Sequence, residues 1–317
     1  MTTMAHAQDG LAAKFADPNV TARGERRAKV ALKGLETLWF NTGTLCNIAC
    51  SGCYIESSPR NDRLAYLSRA EALAYLDEIG RERLPTRLVG FTGGEPFMNP
   101  DLIGMLKDVL GRGLRALVLT NAMKPMRKAE GELLSLNRRY VAELTIRVSL
   151  DHYGNEVHER ERGRNTWHPT IEGLEWLARS GFVVHVAGRM LSGETEAELR
   201  TGYAGLFARH GVPIDAADPV QLMLFPEMEP RRDVPEITEA CWGILGRSPD
   251  SVMCATSRMV VKRKDGRAPV VVACTLLPYD DRFELGATLA EAAGPVALNH
   301  RHCAAFCVLG GAACSRS

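Results

Sequence analysis

The sequence predicts an α/β fold, a partial and open barrel of parallel strands followed by a small C-terminal hairpin and helix unit. Short apolar segments alternate with amphipathic ones between residues 34 and 225. This alternation is typical of βα units and a parallel sheet. The chain has six such units, too few for an eight-stranded barrel. Its nine cysteines fall into two groups, three at 46–53 and six at 241–314, which suggests two separate metal sites.

The candidate strands are continuous apolar runs, as expected for a sheet that is covered on both faces. They lie at 35–41, 88–92, 116–120, 144–150, 183–189 and 220–225. Helical patterns lie between them at 68–82, 100–111, 127–138, 169–180 and 195–210. Ser68 is a start signal for the first helix, and Gly113 and Gly181 are stop signals for two later ones.

Composition narrows the class of protein. The 317 residues are 45% hydrophobic and 24% charged, with a net charge of +1. This near-neutral balance argues against nucleic acid as an obligatory partner, because phosphate binding usually needs a basic excess. No apolar run is long enough to span a bilayer, and the N-terminus lacks the apolar core of a secretory signal. We therefore expect a cytoplasmic protein without a membrane partner, whose cysteines bind metal rather than form disulfides.

The first cysteine group has the spacing C-x3-C-x2-C and follows the first predicted strand. A tight loop directs the three thiolates of Cys46, Cys50 and Cys53 to one point, and thiolates are the ligands of iron–sulfur clusters. A [4Fe–4S] cube has four irons and wants four ligands, so three cysteines leave one iron open to a substrate or cofactor. The alternatives are a zinc site and three unrelated buried thiols. Zinc sites usually repeat a C-x2-C pair, and no second pair lies nearby.

Polar residues follow the other predicted strands. Because the carboxyl ends of parallel strands meet at one edge of the sheet, these residues should surround the cysteine loop. Paired glycines allow close backbone approach to a ligand, and a neighbouring carboxylate can hold an ammonium group. The candidates are Gly93, Gly94, Glu95, Asn121, Ser149, Asp151 and Arg189.

The cysteine triplet followed by Gly-Gly-Glu-Pro resembles the two signatures of the radical S-adenosylmethionine (SAM) enzymes over roughly residues 34–225. The resemblance implies that Cys46, Cys50 and Cys53 hold a [4Fe–4S] cluster whose open iron binds SAM. It implies that Gly93, Gly94 and Glu95 receive the methionyl ammonium. Further SAM contacts carried over from the family are Asn121, Ser149 and Asp151 near the ribose and Arg189 at the carboxylate.

The resemblance also implies the chemistry. One electron from the reduced cluster cleaves SAM to methionine and a 5′-deoxyadenosyl radical, which takes a hydrogen atom from the substrate. Such a site must be dry and closed to oxygen. One departure from the family concerns the aromatic residue that many members carry before the third cysteine. Gly52 stands there in this chain, and Tyr54, after the cysteine, is the candidate to cover the adenine.

The C-terminal third carries the second cysteine group. We divide the chain into an N-terminal tail at 1–33, the barrel at 34–225, a linker at 226–253 and a tail unit at 254–317. Two β runs joined by Asp265-Gly266 predict a hairpin with Cys254 and Cys274 at its open end. A helix is expected to begin at 285–291. Cys303 and Cys307 follow, with Cys314 in reserve, whereas Cys241 is expected to be a buried thiol in a helix.

This tail resembles the SPASM or shorter twitch extensions of radical SAM enzymes, which implies an auxiliary [4Fe–4S] cluster held by Cys254, Cys274, Cys303 and Cys307. Alternative interpretations remain open at this point. Four cysteines also suit a structural zinc ion. His302 allows a mixed His/Cys site, although a surface position is expected for it. For His152 and His158 we favour solvated or hydrogen-bonded roles.

The leading function is therefore an oxygen-sensitive radical SAM enzyme that abstracts hydrogen from a substrate. The short N-terminal tail favours a small metabolite, and a peptide is the alternative. A one-electron reductant such as flavodoxin or ferredoxin is the expected protein partner. The rival functions are a non-catalytic iron–sulfur protein and a zinc-stabilised binding module, and the intact Gly93-Gly94-Glu95 argues against the first of these.

Overall fold

A parallel six-stranded sheet forms the body of the fold. The computed structural model describes residues 14–191, 193–228 and 232–312. The six strands are β2 Thr37–Asn41, β3 Leu88–Thr92, β4 Arg115–Thr120, β5 Leu144–Ser149, β6 Val183–Met190 and β7 Leu222–Pro226. They lie side by side in chain order, and each neighbouring pair is parallel. The predicted partial, open barrel of βα units is confirmed.

Helices follow most of the strands. They are α1 Arg69–Arg81, α2 Leu102–Gly111, α3 Lys124–Arg127, α4 Glu130–Arg139, α5 Asn155–Arg162, α6 Trp167–Arg179, α7 Glu196–His210 and α8 Cys241–Leu245. Ser68 caps α1 as predicted. Its hydroxyl accepts a hydrogen bond from the Glu71 amide, and the Glu71 carboxylate accepts one from the Ser68 amide. This reciprocal pair satisfies two of the backbone donors that a helix start leaves without partners.

The strands are apolar on both faces because two different layers cover them. Leu38 and Phe40 of β2 belong to a core cluster with the helices. Trp39, which points to the opposite face, belongs to a second cluster with residues of the C-terminal third. Alternating side chains of one strand thus enter different cores, which explains the continuous apolar runs in the sequence.

The C-terminal third extends the barrel sheet. Its strands are β8 Ser257–Val261, β9 Val270–Val272 and β10 Glu284–Gly286. β8 pairs in parallel with β2, and β9 pairs antiparallel with β8. The predicted hairpin is confirmed, and it adds its strands to the first strand of the barrel. Among the described residues, β7 and β10 are the two edges of a nine-stranded sheet.

The prediction of a helix that begins at 285–291 is wrong. This segment begins inside β10 and continues to a single 3₁₀ turn at Glu291–Ala293. The Glu291 carboxylate accepts hydrogen bonds from the amides of Ala287 and Thr288, at 2.7 and 3.2 Å. Gly286 has φ +142°, outside the helical region. The side chain of Glu291 therefore closes a turn where a helix was expected.

Helix α5 was not predicted from the sequence. Its one buried residue is His158, whose surroundings differ from the prediction. The sequence favours solvated or hydrogen-bonded roles for His152 and His158. This is confirmed for His152, whose Nε2 lies 2.6 Å from Glu194 Oε2. His158 is fully buried, and neither ring nitrogen has a hydrogen-bond partner among the described residues. It packs edge-on against Trp167 of α6.

The segment before β2 packs against the C-terminal third. Its strand β1, Lys29–Val30, pairs antiparallel with β11, Val296–Ala297. Arg27 is buried and forms an ion pair with the Glu236 carboxylate. In the described part of the chain, every helix is too short or too polar to traverse a bilayer.

Candidate active site

One pocket opens at the carboxyl ends of the parallel strands, where the sequence analysis places the candidate site. Its cavity volume is about 190 Å³. Ten of the eleven residues predicted for the barrel site line it, and the eleventh, Glu95, is buried outside the lining. The ten are Cys46, Cys50, Cys53, Tyr54, Gly93, Gly94, Asn121, Ser149, Asp151 and Arg189.

The cysteine loop is fixed by hydrogen bonds to the loop that follows β3. The Gly94 amide donates to the Gly43 carbonyl at 2.8 Å. Cys46 is buried, and burial raises the pKa of its thiol to about 12. A buried thiol loses its proton when a bound metal supplies the opposite charge. The donor set therefore fits metal ligation better than free thiolate chemistry.

The paired glycines allow this close approach between the two loops. A Cβ atom on Gly93 would lie 2.5 Å from the Gly43 carbonyl oxygen, and one on Gly94 would lie 2.1 Å from the Leu45 oxygen. Gly93 also has φ +142°, which side chains disfavour. The sequence predicts that the pair allows close approach of a ligand. The structure adds that the pair is needed for the cysteine loop itself to reach the pocket.

Glu95 connects the ends of β3 and β4. Its Oε1 accepts hydrogen bonds from the Thr120 hydroxyl at 2.8 Å and the Phe97 amide at 3.1 Å. Its Oε2 accepts one from the Asn121 amide at 2.9 Å. Burial raises the pKa of this carboxyl to about 7 despite these three donors. In this geometry Glu95 supports the pocket wall from behind.

Asn121 connects the same strand end to the cysteine loop. Its Nδ2 donates to Oδ1 of Asn47, the residue that follows the first cysteine, at 2.9 Å. Its backbone carbonyl accepts a hydrogen bond from the Thr170 hydroxyl at 3.1 Å. The loop that carries Asn121 is therefore held on two sides.

Arg162, the last residue of α5, lines the pocket and is absent from the predicted site. Its Nη2 donates to Asp151 Oδ1 at 3.1 Å, and both side chains are largely buried. The nearby Cys50 thiol also acts on this guanidinium electrostatically. In the sequence Arg162 lies in a run of charged residues and has no strand-end signal.

Arg189 occupies the space that a side chain at Gly52 would need. A Cβ on Gly52 would lie 2.1 Å from Arg189 Nη1. The guanidinium is held by Glu161 Oε2 at 3.3 Å and lies 5.9 Å from the centre of the Tyr54 ring. This contact gives a physical reason for the missing aromatic residue before the third cysteine.

The wall of the pocket on the side of the C-terminal third is apolar, and the sequence analysis missed it. Phe306 packs edge-on against Tyr54, with ring centres 6.2 Å apart, and also contacts Phe225 at 5.3 Å. Trp39, Leu119 and Leu276 complete this side. In the sequence these residues look like ordinary core positions, because only the fold exposes them to the pocket.

A second, smaller pocket is lined by Cys254, Cys274, Cys303 and Cys307. These are the four cysteines that the sequence analysis selects for the tail. The last two lie on a π-helical segment, Cys303–Leu309. Cys314, the reserve ligand, lies outside the described residues. Cys241 is half-buried in α8 and does not line this pocket.

The donor set of the tail pocket consists of thiols in an apolar setting. Burial raises the pKa of the Cys254 thiol to about 11 and that of the Cys303 thiol to about 12. Over the described ranges, no three His, Cys, Asp or Glu side chains surround a single metal-ion position. This finding concerns a single ion, whereas in a [4Fe–4S] cube each thiolate binds a different iron. The four thiols therefore still fit a cube.

The prediction that His302 lies on the surface is wrong, because the residue is half-buried. It lines the tail pocket, and its Nδ1 is buried without a hydrogen-bond partner among the described residues. Its ring centre lies 6.3 Å from that of Tyr54, which lines the first pocket. Leu276 lines both pockets. The two cysteine sites are therefore separated by a thin wall of side chains.

Residues 40–201, about half of the chain, match the family model described as "Radical SAM superfamily". Among curated proteins, the chain is 33% identical over 143 residues to the "Antilisterial bacteriocin subtilosin biosynthesis protein AlbA" of Bacillus subtilis, covering 45% of this chain and 30% of that one. It is 25% identical over 169 residues to the "Mycofactocin maturase MftC" of Mycolicibacterium smegmatis, covering 53% and 41%.

A third relative is the "GTP 3',8-cyclase" of Rhodococcus opacus, 31% identical over 153 residues, covering 47% of this chain and 42% of that protein. The matched region is thus less than half the length of each of these relatives.

Solved structures share the fold. Streptococcus suis SuiB bound to S-adenosylmethionine has a TM-score of 0.58 at 11% identity, covering 90% of this chain and 68% of that one. The structure described as "Native anSMEcpe with bound AdoMet" has a TM-score of 0.57 at 15% identity, covering 81% and 79%.

Proposed function

The chain belongs to the radical SAM superfamily, and from this premise we propose that it generates a radical from SAM and abstracts hydrogen from a bound substrate. The observation that carries the proposal is the packing of the cysteine loop against Gly93 and Gly94 at the rim of one pocket. Three thiols and the backbone of the glycine pair therefore face one space. Superfamily membership implies a [4Fe–4S] cluster and SAM in such a space.

Cys46, Cys50 and Cys53 would hold the cluster. Their loop is anchored by the rest of the chain, because the Cys46 amide donates to the Ser58 carbonyl at 3.1 Å and the Ser51 amide to the Glu161 carbonyl at 2.8 Å. The bound group would supply one-electron cleavage of SAM, with the radical then taking a substrate hydrogen. A preorganised loop limits the entropy lost on ligation.

Residues around the loop would bind and orient SAM. The backbone of Gly93 and Gly94 would meet the methionyl ammonium, with Glu95 acting as a positioning residue from behind. Arg189 would pair with the SAM carboxylate, since a guanidinium suits carboxylate geometry. We assign the remaining adenosyl contacts to Tyr54, Asn121, Ser149 and Asp151.

The apolar wall would exclude water. Phe225, Leu276 and Phe306 close the side of the pocket toward the C-terminal third. A reactive carbon radical needs such a wall, because solvent would quench it. In this proposal the C-terminal third completes the active site as well as the sheet.

SAM binding at the open iron tests this proposal. The anaerobically reconstituted full chain should give an electron paramagnetic resonance (EPR) signal in the reduced state that changes when SAM is added. The change should be absent in the variant with all three loop cysteines replaced by alanine. A wild-type spectrum that is insensitive to SAM at saturating concentration contradicts the proposal.

We further propose an auxiliary [4Fe–4S] cluster in the tail pocket, held by Cys254, Cys274, Cys303 and Cys307. Support comes from the four thiols that line one apolar pocket. Structural zinc is the competing occupant, with His302 as an additional candidate ligand. Metal counting separates them. About eight irons per chain supports two clusters, whereas about four irons with one zinc supports a zinc tail.

Two substrate classes are candidates. A small metabolite is the class that the sequence favours. The names of two relatives, a bacteriocin biosynthesis protein and a maturase, favour a peptide instead. Incubation with either class, followed by mass spectrometry for loss of hydrogen, separates the two. In either case a one-electron donor such as flavodoxin or ferredoxin in the cytoplasm would supply the electrons.

A further inference from the structure

Arg258 is a buried arginine whose hydrogen-bond partners are backbone carbonyls. It lies on β8, four residues after Cys254, and is 1% exposed. Its Nε donates to the Ala292 carbonyl at 2.9 Å, and its Nη2 donates to the Gly294 carbonyl at 3.0 Å. Its Nη1 donates to the carbonyls of Cys254 at 2.6 Å and Ser257 at 2.8 Å. These bonds use four of the five guanidinium N–H donors, and none of the acceptors carries a negative charge.

Two other buried arginines of the chain have an acid beside them. Arg27 forms an ion pair with Glu236, and Arg162 forms one with Asp151. Within the described residues, no carboxylate forms an ion pair with Arg258. The guanidinium is close enough to the thiols of Cys254 and Cys274 to interact with them electrostatically. An unpaired buried cation is costly, so a negative partner is expected at this place.

The tail pocket is where that partner would be. Cys254 and Cys274 both line it, and Arg258 binds the backbone of the first. Four thiolates around an iron–sulfur cube give the assembly a net negative charge, and reduction by one electron makes it more negative. A fixed cation beside it favours both the thiolate form of the ligands and the reduced form of the cluster.

We infer that Arg258 is the built-in counter-charge of the tail site, where it raises the reduction potential of the group bound by Cys254, Cys274, Cys303 and Cys307. The inference rests on the auxiliary cluster proposed above. Arg258 is a positioning residue in this scheme, because it acts on the cluster through charge and through the Cys254 backbone. Its effect is to make the tail site a better electron acceptor.

A redox titration of the reconstituted full chain, followed by EPR, tests the inference. The tail signal is the one that SAM does not shift and that disappears in the Cys254→Ala/Cys303→Ala variant. Arg258→Met removes the charge, and Arg258→Lys keeps it. At a fixed potential, we expect the ratio of reduced to oxidised tail cluster to fall about tenfold in Arg258→Met, equivalent to about 59 mV. Arg258→Lys should stay near the wild type.

Arg147→Met is the matched control, because Arg147 is also fully buried but lies on β5 and lines neither pocket. Its tail potential should equal that of the wild type. Equal shifts in Arg258→Met and Arg258→Lys, or no shift in either, overturn the inference. Loss of tail iron from Arg258→Met but not from Arg258→Lys would also support the role of the positive charge. Loss of tail iron from both variants would overturn the inference. A wild-type chain with only about four irons overturns the auxiliary cluster itself.

Discussion

Gly52 and Arg189 form a matched pair at the scale of single residues. The guanidinium fills the space beside Gly52 and is held there by Glu161. A methyl group at position 52 would displace the far end of a flexible side chain and would leave the backbone where it is. The two residues should therefore act through the same contact with SAM.

We predict that Gly52→Ala and Arg189→Ala each weaken SAM binding by about tenfold, the loss expected for a charge-assisted hydrogen bond. The double variant should bind SAM no more weakly than Arg189→Ala, because the contact can be lost only once. Calorimetric titration of the reconstituted protein measures this, with iron content as the control. Fully additive losses would show that the two positions act independently.

Glu95 gives a second prediction at this scale. Glu95→Ala leaves the Thr120 hydroxyl and the amides of Phe97 and Asn121 without their acceptor, and each unsatisfied buried donor costs about 1–3 kcal/mol. We expect a lower melting temperature and weaker SAM binding, with iron content unchanged. Glu143→Ala, at an exposed carboxylate, is the control. Loss of the cluster in Glu95→Ala would contradict the assignment.

Ten of the eleven candidate residues lie around one pocket, because the ends of parallel strands converge by geometry. The sequence did not predict that Glu95 lies behind the wall, since the three donors that surround it come from two different loops. Nor did it predict the position of His302. Apolar and polar surroundings of a side chain depend on tertiary packing, which local spacing does not encode.

At the scale of secondary structure elements, α5 was missed because its sequence, NEVHERER, carries almost no apolar residue. Helix prediction depends on apolar periodicity, and only His158 faces the core here. Burial lowers the pKa of His158 to about 4. The unfolded chain takes up this proton near pH 6.5, whereas the folded chain does not until about pH 4. As the pH falls from about 6.5 to about 4, protonation of this histidine favours the unfolded chain. The free energy of unfolding therefore decreases over that range.

We predict that wild-type stability falls more steeply between pH 7 and pH 5 than that of His158→Leu, by about 2 kcal/mol. Urea unfolding at the two pH values measures the difference in the free energy of unfolding. His168→Ala, at an exposed position of α6, serves as the control. Parallel pH dependences of the wild type and His158→Leu would mean that His158 is not held neutral by burial.

At the scale of the whole molecule, the C-terminal third is part of the barrel sheet. Strand β8 covers the edge of β2 over four register pairs, from Thr37 to Phe40. The sequence predicted the hairpin but not this pairing, because nothing in a local pattern specifies which distant strand a hairpin joins. Pairing across more than 200 residues is a property of the complete fold.

We predict that a chain ending at residue 226 does not fold stably, because the β2 edge and the apolar face around Trp39 lose their cover. Soluble yield and resistance to limited proteolysis measure this. Lys264→Ala, in the hairpin turn, is the control and should behave as the wild type. A protease-resistant fragment that binds iron would contradict the prediction.

The central claim is that the barrel pocket cleaves SAM reductively, and the formation of 5′-deoxyadenosine tests it most directly. Reconstituted protein with SAM and dithionite should form 5′-deoxyadenosine together with methionine. The variant with Cys46, Cys50 and Cys53 replaced by alanine should form none while keeping its fold. Product formation that is equal in the two proteins, or absent from a wild-type chain loaded with its cluster, would contradict the claim.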